Sequence, residues 1–557
     1  MKTHVTVAVV GAGFGGIGMG IALRRDGIAD FLILESADAV GGVWRDNTYP
    51  GCSCDVPAHL YSLSAAPYRD PAIRYPRQAD TLAYLERVVD TFALRPHLRL
   101  GTTVIDATYD EHHSHWILTT TAGPPVTADI VIFSVGMLHR PRYPNIPGLG
   151  DFSGPVMHSA RWDHGIDLCG RRVAVIGTGA SAIQIIPAIA GRAERVTVYQ
   201  RTPTWVLPKP GHEFGPATKA LLAHLPGGHR LYRSLTAAAA DALLAPIMTR
   251  GWTAPLAESI ARTHLRRQIR DPRLRAALTP AHPVGAKRIL LSNDYYPALT
   301  RDDVELVTTG IHSVTDNGVR TVDGTIRDTD IIVCATGFRA SEFLAHVCIR
   351  GRGGRLLADR WADGAEAYLG TALPGFPNLF LIAGPSTFNP AGSNITIKES
   401  QIALILAALR WRERIGAAAI EPSTAAMNRY RRWLIHAWAH TVWPGGGPSW
   451  YKTPHGQLVT PWPSTARAFD RAARRHPATV FRPAPTALDA PSGTRAPTTP
   501  NVRAPAHRRG STGPYPVPPV PGASIPRRSP RQPSSARSEN HHDQTSRHNQ
   551  HRRGDPD

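Results

Sequence analysis

The apolar pattern opens with Val5 to Val10, a run of β-branched and small residues that reads as a buried parallel strand. It enters Gly11-Ala12-Gly13-Phe14-Gly15-Gly16, and a helix is predicted from Phe14 to Asp26. A second strand, Phe31 to Leu34, ends at Glu35; further strands are predicted over Arg99–Asp110, His115–Thr121 and Asp129–Phe133. The pattern then repeats. Arg172 to Ile176 is apolar, Gly177-Thr178-Gly179-Ala180-Ser181-Ala182 follows, a helix runs to about Ile189, and a strand covers Val196–Tyr199. From Ala217 to Leu278 the chain is rich in Ala, Leu and Arg, with leucines at helical spacing (Leu221, Leu222, Leu225; Leu231, Leu235). Strands return at Thr329–Val333 and Asn378–Ala383, and Asn394 is placed to cap a helix beginning near Ile395. Beyond Arg482 the sequence is Pro, Arg, Ser, Thr and His with few large apolar residues, which predicts a disordered tail.

Strand, glycine turn, helix, strand and terminal residue, twice over, predict two dinucleotide sites. Gly11 permits the tight turn, Gly13 lets backbone approach a pyrophosphate, and Gly16 lets the helix pack on the strand. The helix amides face the phosphates, and Glu35 is placed to accept from ribose hydroxyls. The second turn, with Gly177, Gly179 and Ser181 as cofactor contacts, is a G-x-G-x-x-A variant. Glu35 and Arg201 stand at the same offset, 24 positions after Gly11 and Gly177. A guanidinium where the first site has an acid suits a 2′-phosphate, so NADPH is expected there, with Thr202 adding a hydroxyl.

Length and composition narrow the class. A chain of 557 residues with 42% hydrophobic and 19% charged residues has room for two or three folded domains. Its longest apolar stretch in the middle, Leu235 to Met248, is interrupted by Asp241 and Pro246 and too short for a span, and no signal peptide precedes Gly11, so a cytoplasmic protein is expected. Five cysteines are too few for a disulfide framework, and Cys52 and Cys54 are read as thiols without a catalytic role. The net charge of +20 comes with no nucleic-acid motif and owes much to the tail, so no specific nucleic-acid partner is expected. No metal site is expected, and the oligomeric state stays open.

Between the two glycine turns lies Phe152-x-Gly154-x-x-x-His158-x-x-x-Trp162-Asp163. This spacing resembles the fingerprint of the Baeyer–Villiger monooxygenases, which are flavoproteins. The loop Gly41-Gly42-Val43-Trp44 resembles the flavin-contacting loop of class B flavoprotein monooxygenases, and Asp55 matches an aspartate near the flavin ring. FAD is therefore assigned to the first site, with Gly42, Trp44 and Asp55 among its contacts. Ser134-Val135-Gly136 departs from the family's Ala-Thr-Gly, whereas Ala335-Thr336-Gly337-Phe338 keeps it. Gly285-x-Lys287-Arg288 resembles the segment carrying the active-site arginine, and Trp450-Tyr451-Lys452-Thr453 with Trp462-Pro463 resembles a pocket segment.

The resemblance implies an α/β fold with two Rossmann-like domains, for FAD and NADP, a helical insertion and a disordered C-terminal tail. The expected organisation is FAD-binding over 1–151 and 335–481, NADP-binding over 152–210 and 284–334, the insertion over 211–283, and the tail over 482–557. It implies that Lys287 joins Arg201 at the 2′-phosphate, that Asp55 orients Arg288, and that Arg288 favours the anionic peroxide formed on reduced flavin as it attacks a ketone. Phe152, Gly154, His158, Trp162 and Asp163 are assigned to coupling the domains. The implied reaction uses O2 and NADPH to insert oxygen beside a carbonyl. A monooxygenase acting on nitrogen or sulfur, a disulfide or quinone reductase, and a flavin-binding sensor remain alternatives.

Overall fold

The computed structural model describes residues 3–485 except Pro71. The described residues fall in one compact unit. The expected disorder from 486 onward lies outside the described residues. Before that, the tail begins later than predicted. Phe481–Pro483 pairs antiparallel with Ile420–Pro422, and Arg482 donates to the buried Glu421 (2.8 Å).

Two sheets carry the two glycine turns. In the first, the spatial order is Cys348–Arg350, Val104–Asp110, His115–Thr120, Val126–Phe133, His4–Val10, Phe31–Leu34 and Leu98–Arg99, with Leu379–Leu381 also pairing with Val126–Phe133. The register aligns Val10 with both Leu34 and Phe133, so Gly11, Glu35 and Ser134 leave the sheet at one edge. In the second, five parallel strands run in the order Val304–Val307, Arg195–Tyr199, Arg172–Ile176, Ile331–Cys334 and Val156–His158. There Ile176 aligns with Tyr199 and Cys334, so Gly177, the Gln200-Arg201 pair and Ala335 leave together. Crevices at the carboxyl ends of parallel strands are where such sheets bind ligands.

The central strands are buried on both faces because helices cover them. Phe14–Arg25 packs against Asn394–Arg414 over the first sheet, joining Ile17, Ile21, Leu404 and Ile405 in one core. Ala182–Ile189 does the same for the second sheet through Ile183, Ile185 and Ile186.

Three elements differ from the sequence expectation. The predicted strand Arg99–Asp110 is two strands, because Gly101 turns at φ +61° and sends Val104–Asp110 to the far side of the sheet. The long helix starts at Asn394, but its cap is Ser393, whose extended backbone lets its hydroxyl accept from the Ile395 N–H (3.1 Å). Asn394 instead accepts from the Asn389 N–H (2.8 Å), holding the loop before the helix. A three-stranded antiparallel sheet over Ile311–Asp328 was not foreseen.

The Ala/Leu/Arg-rich segment is helical over Pro216–His224, Gly228–Ala239, Ala245–Met248, Thr253–Gln268 and Pro272–Ala277. A two-stranded parallel ladder, Val206–Leu207 with Leu290–Leu291, closes its two ends together. No helix among the described residues is long and apolar enough to cross a membrane.

Candidate active site

The two crevices open into one cleft of about 2290 Å³. That is more than twice the upper range for a single small-molecule pocket, so it has room for more than one ligand. Gly11, Gly13, Glu35, Gly42, Trp44 and Asp55 line it from the first sheet; Gly177, Gly179, Ser181, Arg201, Thr202, Lys287 and Arg288 line it from the second. Gly16 does not line it; a side chain there would run into the Gly11 carbonyl, so this glycine seats the helix on the turn.

Both turns fit a dinucleotide. At Gly11 and Gly177 the backbone turns at φ +105° and +112°, and an added Cβ would sit 2.7 Å from the Ser134 carbonyl and 2.6 Å from the Ala335 carbonyl. At Gly179 an added Cβ would meet no protein atom within 4 Å, and at Gly13 only Gly42 Cα at 3.8 Å. Backbone amides are thus open to a phosphate at both turns. Gly42, itself at φ +54°, faces Gly13, so the glycine pair of the loop packs on the glycine turn. Trp44 is buried beside it and donates to the Tyr61 hydroxyl (3.2 Å).

The strand-end residues differ. Glu35 is buried and already engaged: its carboxylate accepts from the Ala12 N–H (2.7 Å) and the Ala37 N–H (3.1 Å) and pairs with Arg45 (3.1 Å). Arg201 is exposed, and neither it nor Lys287 has a carboxylate partner among the described residues. Burial holds the Lys287 ammonium below its ordinary value, and the charge of Arg201 pushes it the same way. Two cations this close, without a carboxylate partner among the described residues, have the charge that would suit a doubly charged anion.

Arg288 stands where the crevices meet. Its Nη2 donates to both oxygens of Asp55 (2.7 and 2.6 Å) and its Nε donates to Oδ2 (3.3 Å). Nη1 has no protein partner among the described residues. The side chains keep 26% and 23% exposure, and the guanidinium lies 5.5 Å over the Phe388 ring. Burial works to lower the arginine's proton affinity, but the charge and hydrogen bonds of Asp55 outweigh it and hold it above its ordinary value. The result is a fixed cation at any working pH.

The sequence did not single out several neighbours. Gln184, on the helix after the second turn, accepts from the Tyr49 hydroxyl (3.0 Å) and donates to the Ser53 carbonyl (3.0 Å). An added Cβ at Gly51 would lie 2.6 Å from the Gln184 carbonyl, so the loop leading to Asp55 rests on that helix. Lys209 donates to the Ser53 hydroxyl (3.0 Å); burial lowers its proton affinity while Asp55 pulls it back up. Lys398, without a hydrogen-bond or ion-pair partner among the described residues, lines the cleft, its pKa pushed down to about 8 by burial. A lysine between Ile397 and Ile402 on a buried helix was the available signal.

The connecting motif lies behind the cleft rather than in it. Phe152, Gly154, His158, Trp162 and Asp163 are absent from its lining. An added Cβ at Gly154 would meet the Asp330 carbonyl and the Phe152 ring, which explains the Phe-x-Gly spacing. His158, fully buried, accepts from the Ala160 N–H at Nδ1 (3.1 Å), so Nε2 donates to the Gly337 carbonyl (3.0 Å). Burial pushes its pKa down to about 4, and the ring is neutral. Trp162 is half-buried against the second core, and Asp163 accepts from the Gly165 N–H (2.8 Å). Away from the cleft, Asp110, His113 and His115 bring one ligating atom each within 4.8 Å on a partly exposed hairpin.

All five cysteines are free, and burial pushes the Cys52 thiol up to about 11 and Cys54 higher, so neither offers a ready thiolate.

Residues 8–228 match the family model described as pyridine nucleotide-disulphide oxidoreductase. The chain is 42% identical over 492 residues to a Baeyer–Villiger monooxygenase of Streptomyces coelicolor, covering 87% of this chain and 95% of that protein. Among solved structures it is similar to cyclohexanone monooxygenase from Rhodococcus sp. Phi1 bound to NADP+ (29% identity, TM-score 0.78, 86% of this chain and 99% of that one). It is also similar to OTEMO in complex with FAD and NADP (27% identity, TM-score 0.77, 86% and 99%). Two glycine crevices, a paired arginine between them and these relatives agree: the chain belongs to the Baeyer–Villiger monooxygenases.

Proposed function

We propose that this protein is an FAD- and NADPH-dependent monooxygenase that inserts one atom of O2 beside the carbonyl of a small-molecule ketone, giving an ester or lactone. FAD belongs in the crevice of Gly11, Gly13, Glu35, Gly42 and Trp44, and NADPH in that of Gly177, Gly179, Ser181, Arg201, Thr202 and Lys287. When bound, the flavin supplies the redox chemistry, taking a hydride from NADPH and activating O2.

The protein's contribution is positional and electrostatic. Asp55 fixes the Arg288 guanidinium through Nε and Nη2 and leaves Nη1 directed at neither carboxylate oxygen. Such a donor can hold negative charge as it develops on a carbonyl oxygen. A preorganised donor of this kind lowers the barrier by about 3–4 kcal/mol. Phe388 shields one face of the guanidinium from water, which strengthens its field. Arg201 and Lys287 select the phosphorylated dinucleotide. His158, buried and neutral, serves no proton transfer in this reading; it fixes the edge of the second sheet to the connector at Gly337. Five free thiols, two of them exposed, support a cytoplasmic location.

The observation that carries this reading is the Arg288–Asp55 pair at the junction of two dinucleotide crevices. Product analysis tests it. With FAD, NADPH and labelled O2, a panel of ketones should give labelled esters or lactones. Oxidation of a thioether with no ester from any ketone, or NADPH oxidation without label uptake, overturns it.

A further inference from the structure

The helical segment between the Val206–Leu207 and Leu290–Leu291 strands is amphipathic in the reverse sense. In helix Gly228–Ala239 the inward face is polar: His229 Nδ1 lies 3.0 Å from His59 Nε2, the Tyr232 ring lies 5.3 Å from that of His59, and Arg233 pairs with Glu399 (2.7 Å). Its outward face is Leu231 and Leu235, 52% and 60% exposed. Helix Thr253–Gln268 also leaves large apolar side chains outside. Its buried face is Ala257, Ala261 and Leu265 with Thr253 and His264, the last bonded to the Ser292 carbonyl (2.9 Å), while Trp252, Leu256 and Ile260 are 69%, 55% and 41% exposed. Pro216–His224 buries Leu222 but exposes Leu221, Leu225 after it is exposed too, and the turn after the second helix exposes Leu243 and Leu244. Nine of the seventeen exposed large apolar side chains among the described residues therefore fall between Leu221 and Ile260. A surface helix ordinarily turns its apolar stripe to the core. Here polar contacts hold helix Gly228–Ala239 and small or few apolar residues seat its neighbours, while the larger apolar side chains face outward.

Charge selects the occupant. Between 217 and 260 the only acids are Asp241 and Glu258, and neither is exposed. Asp241 accepts from the N–H groups of Ala466 and Arg467, and Glu258 pairs with Arg262 (2.8 Å). Among the apolar rows the exposed charged side chains are Arg230 and Arg250; at the ends of the segment Arg266, Arg267, Arg270 and Arg273 outnumber the exposed acids Glu213, which pairs with Lys219 (2.6 Å), and Asp271, which caps a helix. A second copy of this face would set like charges against one another. The sequence beyond residue 485 is itself arginine-rich, so it complements the face no better.

We propose that this face docks on the anionic surface of a lipid bilayer, with the leucines and Trp252 in the headgroup–acyl boundary and the arginines at lipid phosphates. Helices that lie in an interface combine these features: an apolar face with Trp and Leu, cationic margins, and no spanning length. Arginine stems can lie along the apolar rows while their heads reach the phosphates. The cytoplasmic leaflet of a cell carries the complementary charge. On their other side, Ile247 and Met248 of the same segment pack on Gly285, three residues before Arg288. The docked segment is thus continuous with the wall of the cleft.

The test uses the full-length, FAD-loaded protein and sedimentation with vesicles of phosphatidylcholine alone or mixed with phosphatidylglycerol. The wild-type chain should sediment with the mixed vesicles. Leu231→Ser with Leu235→Ser, and Trp252→Ser with Leu256→Ser, should each weaken this on the order of tenfold while FAD content and NADPH oxidation stay unchanged. Arg230→Glu with Arg250→Glu should remove the preference for the anionic lipid. Because the tail is present throughout, it cannot produce the difference between variants. If a serine variant fails to fold, quenching by brominated acyl chains, compared between wild type and Trp252→Phe, reads the same contact. The proposal is overturned if wild type and serine variants sediment alike, if wild type does not sediment, or if the leucines prove to hold a concentration-dependent dimer that ignores vesicles.

Discussion

In the first crevice Gly11 turns under the Ser134 carbonyl; in the second, Gly177 turns under the Ala335 carbonyl, at nearly the same φ and the same spacing. The backbone solution for a pyrophosphate is shared. What differs is the residue 24 positions on. Glu35 is buried and held by two backbone N–H groups and Arg45, so its acceptors are aimed before any ligand arrives. Arg201 and Lys287 have no carboxylate partner among the described residues and, in the proposed function, would be compensated by the bound dinucleotide's phosphate. In the proposed function the first crevice would select by a preset acceptor that is part of the fold, and the second by charge that has no carboxylate partner among the described residues. Substitutions at the two positions should differ in kind as well as size.

The largest effect is expected where the crevices meet. Arg288→Ala should reduce ester formation by about 10²–10³-fold, the loss typical of one fixed oxyanion donor. The variant should still carry FAD and oxidise NADPH, which absorbance and label uptake report separately; ester formation at the wild-type rate would remove Arg288 from the reaction. Next comes the cationic pair. Arg201→Ala should lower kcat/KM for NADPH about 10–150-fold, the equivalent of a lost charged hydrogen bond, while leaving NADH and the melting temperature unchanged. Glu35→Gln should do the opposite, lowering thermal stability and FAD retention without altering the choice between NADPH and NADH. If both substitutions act alike, the contrast drawn between the crevices is wrong.

The smallest effect concerns the connector. The pKa of His158 is about 4 in the folded chain, below the ordinary imidazole value of about 6.5. Between these values the unfolded ring takes up a proton that the folded ring refuses. Its contribution is therefore complete above about pH 6.5 and is lost as pH falls toward 4. Melting temperatures measured across that window should fall less steeply in His158→Asn than in wild type, although Asn is the less stable near neutrality. Equal slopes would assign the acid sensitivity to other imidazoles with lowered pKa, His59 and His346 among them.

Both glycine turns and their strands were legible because each is local: the signal and the structure occupy the same 30 residues. The Arg288–Asp55 pair became legible only through the family resemblance, since 233 positions separate the partners. Gln184 and Lys209 were not legible at all. Their importance comes from the Tyr49–Asp55 loop resting on them, and nothing near them in sequence announces that loop. The long helix's cap was missed by one position because Ser393 and Asn394 are both good caps; backbone conformation decides between them. The inserted helices were visible in the leucine spacing. Which way the leucines point was not, because Leu231 and Leu235 face away from a scaffold that grips the helix by its histidine, tyrosine and arginine.

The strand ladder has a consequence for synthesis. Val156–His158 has one neighbour in its sheet, Ile331–Cys334, which leaves the ribosome some 175 residues later. The same late strand is also the second partner of Arg172–Ile176. Until it emerges, a growing chain that has already made both glycine turns exposes two unpaired ladder edges, the state most open to misassociation. Contacts this far apart in sequence also form slowly. The interval in which the inserted helices are being made is therefore the one in which the growing chain has most to gain from protection of those edges.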